Sequence, residues 1–375
     1  MMARAFVDFY SGNNISPFGQ DLSNLKQHFF RRSFLTQSLS IIPHFFKNKS
    51  FLEFGPGSGQ NSLYLLSLKP SLFHLVEANE IGIKETEKIL AVSKNKNVKI
   101  FKNLFLEFQT TDRYDLVWAE SCVPHQNNPI ATAQHMAKFT QESSGIIVFS
   151  CASGISYLPE IMRRIFKHQI LKDKDYTLEN SVSAISPFMK NHLSNLKNMT
   201  RYTDDWIMDN LFQPFHFSKL FNIPDAINAL MDSHNVLATQ PRFITDWRWY
   251  KEVNTSKNSF NEVTLSSYYK TNLNLMHHNY SNYFHSEEFG KKLEELGSTC
   301  WDLLCRLEDG TDKNLEKLNH HVSRLIQHLS LESKEISKTV EYTLEIVNNP
   351  SLVIKNDLFA QWWGRGQQYI SLISK

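Results

Sequence analysis

Three glycines at alternate positions, Gly55, Gly57 and Gly59, follow Glu53 at the end of an apolar run. This order predicts a strand, a tight turn without side chains, and a helix that starts near Asn61. Glycine reaches positive φ without strain and lets a ligand lie directly against the main chain. The free N–H groups at the start of the next helix favour an anion or the electron-rich edge of a ligand. The segment therefore predicts a ligand-binding turn.

The spacing of these glycines separates two classes of ligand-binding turn. Dinucleotide-binding turns follow G-x-G-x-x-G, which from Gly55 would place the third glycine at the position of Gln60. The pattern E-x-G-x-G-x-G from Glu53 instead resembles motif I of the class I S-adenosylmethionine-dependent methyltransferases. The resemblance implies that S-adenosyl-L-methionine is the cofactor, with Glu53 near its methionine amino group and the glycines beneath it. It also implies that Pro56 and Asn61 contact the cofactor.

A second carboxylate, Glu77, ends the next predicted strand. A carboxylate in this place can accept hydrogen bonds from both hydroxyls of a ribose. The alternative is an ordinary solvated strand end. The resemblance adds Asn79, which would help to hold the adenosine, and Asn103 and Leu104, which would face the adenine amine and ring. Leu104 would equally suit a position in the core.

The fourth predicted strand leads into Glu120 and His125, at the position that faces the transferred methyl group in this family. Glu120 is expected to contact the cofactor or to hold the acceptor, and it is a candidate catalytic residue. A histidine of near-neutral pKa can take the proton of an amine or hydroxyl acceptor, so His125 is the candidate base. A surface or hydrogen-bonding role is the alternative for His125. The segment matches neither N/D-P-P-Y/F of the amino-methylating DNA enzymes nor the Pro-Cys order of the cytosine C5 enzymes.

The apolar pattern predicts an α/β fold: a doubly wound, seven-stranded, mostly parallel sheet of the Rossmann-like methyltransferase type, with a helical insertion and a helical C-terminal region. Strands alternate with helices from residue 50 to residue 151. The runs Asn235–Thr239 and Phe243–Tyr250 are predicted to be strands six and seven. The predicted parts are an N-terminal arm and helix at 1–47, a methyltransferase domain at 48–151 and 234–255, an acceptor lid at 152–233, and a helical bundle at 256–375.

The regions before and after the predicted domain have their own expected roles. In many class I methyltransferases an N-terminal arm and helix close the cofactor site, and Tyr10 with Arg31 or Arg32 could serve such a lid here. Packing on the flank of the domain is the alternative. Three amphipathic stripes after Asn258 need partners for their apolar faces, so we expect a helical bundle. The bundle would either dock on the main domain or form a homodimer.

Polar and aromatic residues cluster in the insertion and in the predicted last strand. Arginine can pair with a carboxylate through two hydrogen bonds, and a tryptophan face can stack on a sugar ring. A hinge, a helix cap or core packing is the alternative use of these residues. The predicted reaction methylates an N or O nucleophile of a small polar acceptor, with an acidic or amino sugar of a surface polysaccharide as the working hypothesis. The predicted acceptor residues are Arg201, Tyr202, Asp205, Trp206 and Trp247.

Composition limits the partners and the location. The net charge is +2 and no Lys/Arg block is present, which argues against a nucleic-acid partner. No apolar run reaches the ~18 residues of a membrane span, and four cysteines without a C-x-x-C pair predict a reduced, cytoplasmic location. The adjacent pairs His277-His278 and His320-His321 do not share a helix face, so no metal site is predicted.

Two other functions remain open from the sequence. A nicotinamide-dependent oxidoreductase would use a similar fold, but Gln60 and the position of Glu53 disfavour it. A catalytically silent methyltransferase-like scaffold could bind partners through the C-terminal helices. Against the scaffold, the predicted cofactor motif still contains both acidic residues and all three glycines.

Overall fold

The computed structural model of the chain describes residues 5–13, 22–91, 97–197, 199, 201–214, 220–252, 260–312, 314–355 and 357–375. Its central feature is a seven-stranded sheet. The strands are β1 (Ser50–Phe54), β2 (Leu72–Glu77), β3 (Val98–Lys102), β4 (Leu116–Ala119), β5 (Ile146–Cys151), β6 (His234–Gln240) and β7 (Gln368–Ser374). Their order across the sheet is β3-β2-β1-β4-β5-β7-β6.

The first five strands are parallel, and β7 is antiparallel to both of its neighbours, β5 and β6. Every residue of β4 and β5 is buried. Continuous runs of β-branched and aromatic residues, as in Ile146–Phe149, are typical of strands that are covered on both faces. The predicted α/β fold with a seven-stranded, mostly parallel sheet is confirmed.

The identity of the last strand differs from the prediction. Residues Phe243–Tyr250 form no strand, and β7 comes instead from the C-terminal segment Gln368–Ser374. The run Tyr369–Ile373 has four apolar residues, two of them β-branched isoleucines, and Ile370 and Leu372 are fully buried. The prediction of a strand at Phe243–Tyr250 depended on its many aromatic residues. Aromatic residues favour a strand only where they can pack on a half-buried pleated surface. Trp247, Trp249 and Tyr250 are exposed, so that fit is missing.

Fifteen helices are present in the part of the chain that the structure describes. The predicted N-terminal arm contains one helix, Ala5–Gly12, and the helix predicted after it is two shorter ones, Leu25–Ser38 and Pro43–Phe46. The bounds are α1 (Ala5–Gly12), α2 (Leu25–Ser38), α3 (Pro43–Phe46), α4 (Ser62–Ser67), α5 (Glu80–Leu90), α6 (Pro129–Ala137), α7 (Leu158–Leu171), α8 (Leu178–Ser194), α9 (Thr203–Ile207), α10 (Ile223–Leu230), α11 (Phe260–Thr271), α12 (Glu287–Glu308), α13 (Leu315–Leu329), α14 (Lys334–Asn348) and α15 (Asp357–Gln361). No helix among the described residues is long and apolar enough to cross a bilayer.

The chain divides into two compact units. The first comprises Met1–Cys151, Phe221–Tyr268 and Gln367–Lys375, and the second comprises Ala152–Leu220 and Tyr269–Gly366. The predicted boundary after residue 151 coincides with this division. The predicted insertion was too long, because α10 belongs to the first unit, and the predicted bundle at 256–375 includes β7, which also belongs there. The second unit combines the helices of the insertion with those near the C-terminus.

The direction of the strands places the predicted site residues at one edge of the sheet. The carboxyl ends of β1 to β4 lie side by side because these strands are parallel. Glu53, Glu77, Asn103 and Glu120 are at or directly after these ends. Ligands of open α/β sheets bind outside the carboxyl ends, where the strand order reverses, and here the reversal lies between β1 and β4.

Candidate cofactor site

The glycine turn has the backbone conformation that its residues predict. Gly55, Gly57 and Gly59 have φ angles of 68°, 57° and 75°. A Cβ on Gly55 would lie 2.9 Å from the Cβ of Cys122, and a Cβ on Gly59 would lie 2.8 Å from the Cα of Thr86. Both the positive φ and the close contacts require glycine. At these two positions the close approach is therefore to neighbouring segments of the chain itself.

Glu77, the last residue of β2, is buried and bound to the glycine turn. Its Oε2 accepts a hydrogen bond from the N–H of Gly57 at 3.2 Å, and its Oε1 accepts from Ala78 and Asn79 at 2.8 Å each. Burial raises the pKa of Glu77, although these three N–H groups act in the opposite direction. Each carboxylate oxygen has a second lone pair, so the fixed group can still accept hydrogen bonds from a ligand.

Glu53, unlike Glu77, has a buried carboxyl oxygen without a hydrogen-bond partner among the described residues. It is 3% exposed, and its Oε2 has no hydrogen-bond partner among the described residues. Burial raises the pKa of Glu53 to about 8, with Glu120 and Glu77 adding to the rise and Ser62 and Arg32 opposing it. A buried polar atom without a partner is costly. A hydrogen-bond donor from a ligand, and a cation above all, would satisfy it.

Glu120 follows β4 and is held by four hydrogen bonds. Arg32 of α2 donates from both terminal nitrogens, at 2.7 and 2.6 Å, Trp118 donates from Nε1 at 3.1 Å, and the Tyr369 hydroxyl of β7 donates at 2.9 Å. Burial alone would raise the pKa of Glu120, but Arg32 and the other donors bring it below its usual range. This geometry favours a carboxylate that positions its neighbours over one that accepts a proton.

The helix α2 lies against the carboxyl edge of the sheet through two contacts. Arg32 binds Glu120 after β4, and Nε2 of His28 lies 3.2 Å from the carbonyl oxygen of Gln60 in the glycine turn. Burial, together with the charge of Arg32, lowers the pKa of His28. Of the two arginines named for the predicted lid, Arg32 is thus the one at the site.

The helix α1 reaches the same edge at the end of β2. The Nδ2 of Asn79 donates to the hydroxyl of Ser11 at 3.3 Å, and the Oδ1 of Asn79 accepts from the N–H of Gly82, which caps α5. Tyr10 is buried, with its ring edge-on to Phe9 at 5.5 Å. Asn79 therefore has a clear structural role, and contacts of Asn79 and Tyr10 with a cofactor stay predictions.

Four further predicted cofactor contacts lie around the edge. Pro56 is buried, and its carbonyl accepts from the N–H of Gly59 at 2.9 Å. Asn61 immediately precedes α4, and its buried Oδ1 has no partner among the described residues. Asn103 and Leu104 follow β3 and are half-buried, so Leu104 is not a core residue. Contacts of Asn103 and Leu104 with an adenine ring stay predictions.

The candidate base His125 ends a short 3-10 turn, Val123–His125, beyond β4. Its side chain lies outside the described part of the structure, so its catalytic role stays a prediction. The neighbouring Cys122 is buried and its Sγ lies 3.5 Å from the carbonyl oxygen of Phe54. Burial raises the pKa of Cys122 well above its usual value, which keeps the thiol protonated. The described residues contain no group of three or more His, Cys, Asp or Glu side chains placed to hold a metal ion.

Four of the five predicted acceptor residues lie in the second unit, and one of them has the wrong environment. Trp206 is 6% exposed and packs edge-on against Trp363 at 5.4 Å in the core of that unit, so it cannot stack on a sugar. Arg201 forms an ion pair with Asp209. Tyr202 is 71% exposed and Asp205 lies on the exposed first turn of α9. An acceptor role for Arg201, Tyr202 and Asp205 stays a prediction.

The fifth residue, Trp247, lies in the first unit and is 92% exposed. It follows β6 in an irregular segment that also contains an ion pair between Asp246 and Arg248. Core packing, which the alternation of Trp247 and Trp249 had left open, is therefore excluded for Trp247. Its indole ring is available to a ligand.

Sequence reasoning missed the contribution of the C-terminal strand to the site. Tyr369 binds Glu120, and the side chain of Gln367 exchanges hydrogen bonds with the Ser121 hydroxyl at 3.0 and 2.8 Å. The short apolar run Tyr369–Ile373 was the signal that could have identified this strand. No local pattern could have paired Tyr369 with Glu120, because the contact depends on the insertion of β7 beside β5.

No protein-family model and no curated protein sequence matches this chain. Among solved structures, the chain is similar to the CcbJ methyltransferase from Streptomyces caelestis, with 18% identity, 41% of this chain and 58% of that chain covered, and a TM-score of 0.30. It is similar to the N-methyltransferase NodS from Bradyrhizobium japonicum WM9, with 16% identity, 36% and 66% covered, and a TM-score of 0.29. It is also similar to PKMT2 from Rickettsia typhi, with 13% identity, 64% and 50% covered, and a TM-score of 0.42. The chain spans about half the length of the first solved structures that it matches.

The class of fold follows from the strand order and directions themselves. The order β3-β2-β1-β4-β5-β7-β6 with β7 antiparallel is that of the Rossmann-like fold of the class I S-adenosylmethionine-dependent methyltransferases. The glycine turn follows its first strand and an acidic residue ends its second, as in the sequence resemblance. The fold class alone does not specify the reaction.

Proposed function

We propose that this protein is an S-adenosylmethionine-dependent methyltransferase that methylates an N or O nucleophile of a small polar acceptor. The observation that carries the proposal is the placement of two buried carboxyl groups beside one glycine turn. Glu53, with its unsatisfied Oε2, precedes the turn, and Glu77 binds the N–H of Gly57 within it. Glu53 belongs to β1, which borders the switch point of the sheet, and Glu77 ends the neighbouring strand β2.

The unsatisfied polar atoms of the site fit an α-amino acid group. Glu53 has a free acceptor in Oε2 and Arg32 has a free donor in Nε, and both atoms are buried without partners among the described residues. The charge of Arg32 lowers the pKa of Glu53, against the larger effect of burial. An ammonium would satisfy Glu53 and a carboxylate would satisfy Arg32 through charge-assisted hydrogen bonds. Glu77 would then accept hydrogen bonds from the ribose hydroxyls.

The chain's own residues would then orient the reactants and exclude water. When bound, S-adenosylmethionine would supply a methyl group on a sulfonium, so the leaving sulfur would need no acid. α1 and α2 lie over the carboxyl ends of β2 and β4, which limits access of water from that side. Glu120 holds Arg32, Trp118 and Tyr369 in place.

His125 is the residue that we assign to proton removal from the acceptor, because it belongs to the segment after β4 and has a suitable ordinary pKa. Loss of a general base costs roughly 10²- to 10⁴-fold in rate. Turnover of His125→Ala near the wild-type rate at saturating acceptor would mean that the base is elsewhere or is not needed.

For the acceptor, an acidic or amino sugar remains the working hypothesis, and it rests on Trp247 rather than on Trp206. The proposed acceptor lid formed by the insertion, and a homodimer through the C-terminal helices, belong to the same hypothesis. Light scattering during gel filtration at several concentrations would test the homodimer.

Calorimetric titration with S-adenosylhomocysteine tests the cofactor directly. We expect binding in the micromolar range, and loss of binding in Gly57→Asp, which places a carboxylate beside Glu77. Gly310→Asp is the matched control, since Gly310 also has a positive φ, of 79°, but lies in the second unit. Absence of heat and of a thermal shift with the wild-type protein would refute the proposal. Displacement of S-adenosylhomocysteine by NADH would favour an oxidoreductase instead.

A further inference from the structure

The segment 246–251, which we call the aromatic strap, exposes three large rings in six residues. Trp247 is 92%, Trp249 57% and Tyr250 74% exposed. Burial of a large aromatic ring is strongly favourable, so three exposed rings in one short segment indicate a binding surface. Lys251 lies over the rings of Trp249 and Tyr250, at 5.3 and 5.8 Å from their centroids.

The segment that leads to the strap begins at the edge of the sheet that carries the cofactor site. β7 is antiparallel to β5, and β6 is antiparallel to β7, so β6 runs in the same direction as β5. The register pairs Cys151 with Gln368, and Gln240 with Tyr369. The carboxyl end of β6 at Gln240 therefore lies at the same edge as the ends of β1, β4 and β5, and Tyr369 at this edge also binds Glu120.

The residues between the end of β6 and Trp247 are long enough for Trp247 to reach the centre of the site. β6 is three strands away from β4, which corresponds to about 14 Å at the usual strand spacing. The four residues from Phe243 to Trp247 can span up to about 14 Å. The root of the segment is fixed, because the N–H of Phe243 donates to the Thr239 hydroxyl at 2.8 Å and its ring packs on Tyr268 at 5.0 Å. All of these residues belong to the first unit.

The charges of the strap distinguish between ligands. Arg248 donates to Asp246 from Nε at 2.9 Å and from Nη2 at 2.6 Å, and its hydrogen bonds lower the pKa of Asp246 to about 2. This pair is neutral as a whole, so Lys251 supplies the net charge of the strap. An exposed indole face suits the apolar face of a sugar ring, and an ammonium suits a carboxylate.

We propose that the aromatic strap recognises the acceptor, and that the acceptor is an acidic sugar whose ring stacks on Trp247 while its carboxylate pairs with Lys251. This inference rests on the proposed methyltransferase function, since it names the substrate class of the same site. Trp247 is a binding residue here and takes no part in the methyl transfer itself.

An array of acidic, amino and neutral oligosaccharides, probed with the full-length protein and S-adenosylhomocysteine, tests the inference. We expect retention of uronate-containing glycans and weak retention of neutral ones. Titration with the retained uronate oligosaccharide should show a loss of affinity of about tenfold or more in Trp247→Ala and a smaller loss in Lys251→Ala. Phe284→Ala is the matched control, because Phe284 is another exposed aromatic residue and lies in the second unit.

The outcomes separate this inference from the function on which it rests. If no glycan is retained, if neutral glycans bind as well as acidic ones, or if Trp247→Ala binds like the wild type, the inference is wrong. Binding of S-adenosylhomocysteine by each variant is measured in parallel. If S-adenosylhomocysteine still binds while the glycan experiments fail, only the assignment of the acceptor is wrong. If the wild-type protein does not bind S-adenosylhomocysteine, the proposed function is wrong as well.

Discussion

Glu53, whose buried Oε2 has no hydrogen-bond partner among the described residues, allows the most specific test of the cofactor hypothesis. Its pKa of about 8 in the folded chain is raised mainly by burial, whereas the unfolded chain has the ordinary value of 4.5. A raised folded-state pKa means that this residue destabilises the fold progressively as pH rises from about 4.5 to about 8. The carboxyl group of Glu53 is therefore mostly neutral at pH 7.

We predict that Glu53→Gln stabilises the ligand-free protein at alkaline pH, because the amide has no proton to lose. The gain should be close to zero near pH 4.5 and reach on the order of 5 kcal/mol above pH 8. Urea unfolding across this range measures it. Titration of S-adenosylhomocysteine at pH 7 in buffers of different ionisation enthalpy should also reveal proton release in the wild type and none in Glu53→Gln. Equal pH profiles for the two proteins would contradict the buried, neutral state of Glu53.

At the scale of elements, the Arg32–Glu120 ion pair joins α2 to the end of β4, and Tyr369 adds β7 to the same point. Both partners are buried, so each charge depends on the other. Removal of one partner from a buried pair leaves an uncompensated charge, which is worse than removal of both.

We predict that Arg32→Met destabilises the protein by about 3–5 kcal/mol at pH 7, and that the loss is smaller at pH 5 because the unpaired Glu120 can then be protonated. Chemical denaturation at both pH values checks this. The double variant Arg32→Met/Glu120→Gln should recover part of the stability. Arg31→Met, at the neighbouring half-buried position, is the control. A loss in Arg32→Met no larger than in Arg31→Met would show that the ion pair does not hold α2.

At the scale of the whole molecule, the first unit is assembled from three separate segments of the chain. Its C-terminal segment supplies β7, which lies between β5 and β6 and pairs with both. Every predicted cofactor residue precedes residue 121. The sheet that positions these residues is nevertheless complete only when β7 has paired with β5 and β6. The C-terminal residues are therefore part of the core of the first unit.

We predict that a chain that stops at Gly366 does not fold cooperatively, because β5 and β6 lose their shared neighbour along with the buried side chains of Ile370 and Leu372. Soluble yield, circular dichroism during thermal unfolding and S-adenosylhomocysteine binding measure the effect. Removal of Lys375 alone, an exposed residue, is the control. A soluble truncated chain with a sharp transition and normal binding would show that β7 is dispensable.

The elements that could be predicted are those with a local pattern. The strands β1, β2, β4 and β5 are mostly apolar, and the turn at Gly55–Gly59 has glycines at its three positions of positive φ. The predictions for Trp206 and for Phe243–Tyr250 were wrong for a common reason. An aromatic residue has the same appearance in a sequence whether it packs in a core, as Trp206 does, or faces solvent, as Trp247 does.

The sequence by itself determined the α/β class, the glycine turn and the two carboxylates that flank it, because spacing along the chain sets backbone conformation and places strand ends at one edge. Only the tertiary structure decided that Arg32 and Tyr369 meet at Glu120, that the last strand is C-terminal, and that Glu53 has an oxygen without a partner. These facts depend on contacts between residues far apart in the chain. Burial, which raises the pKa of Glu53 and makes the Arg32–Glu120 pair interdependent, exists only once those contacts have formed.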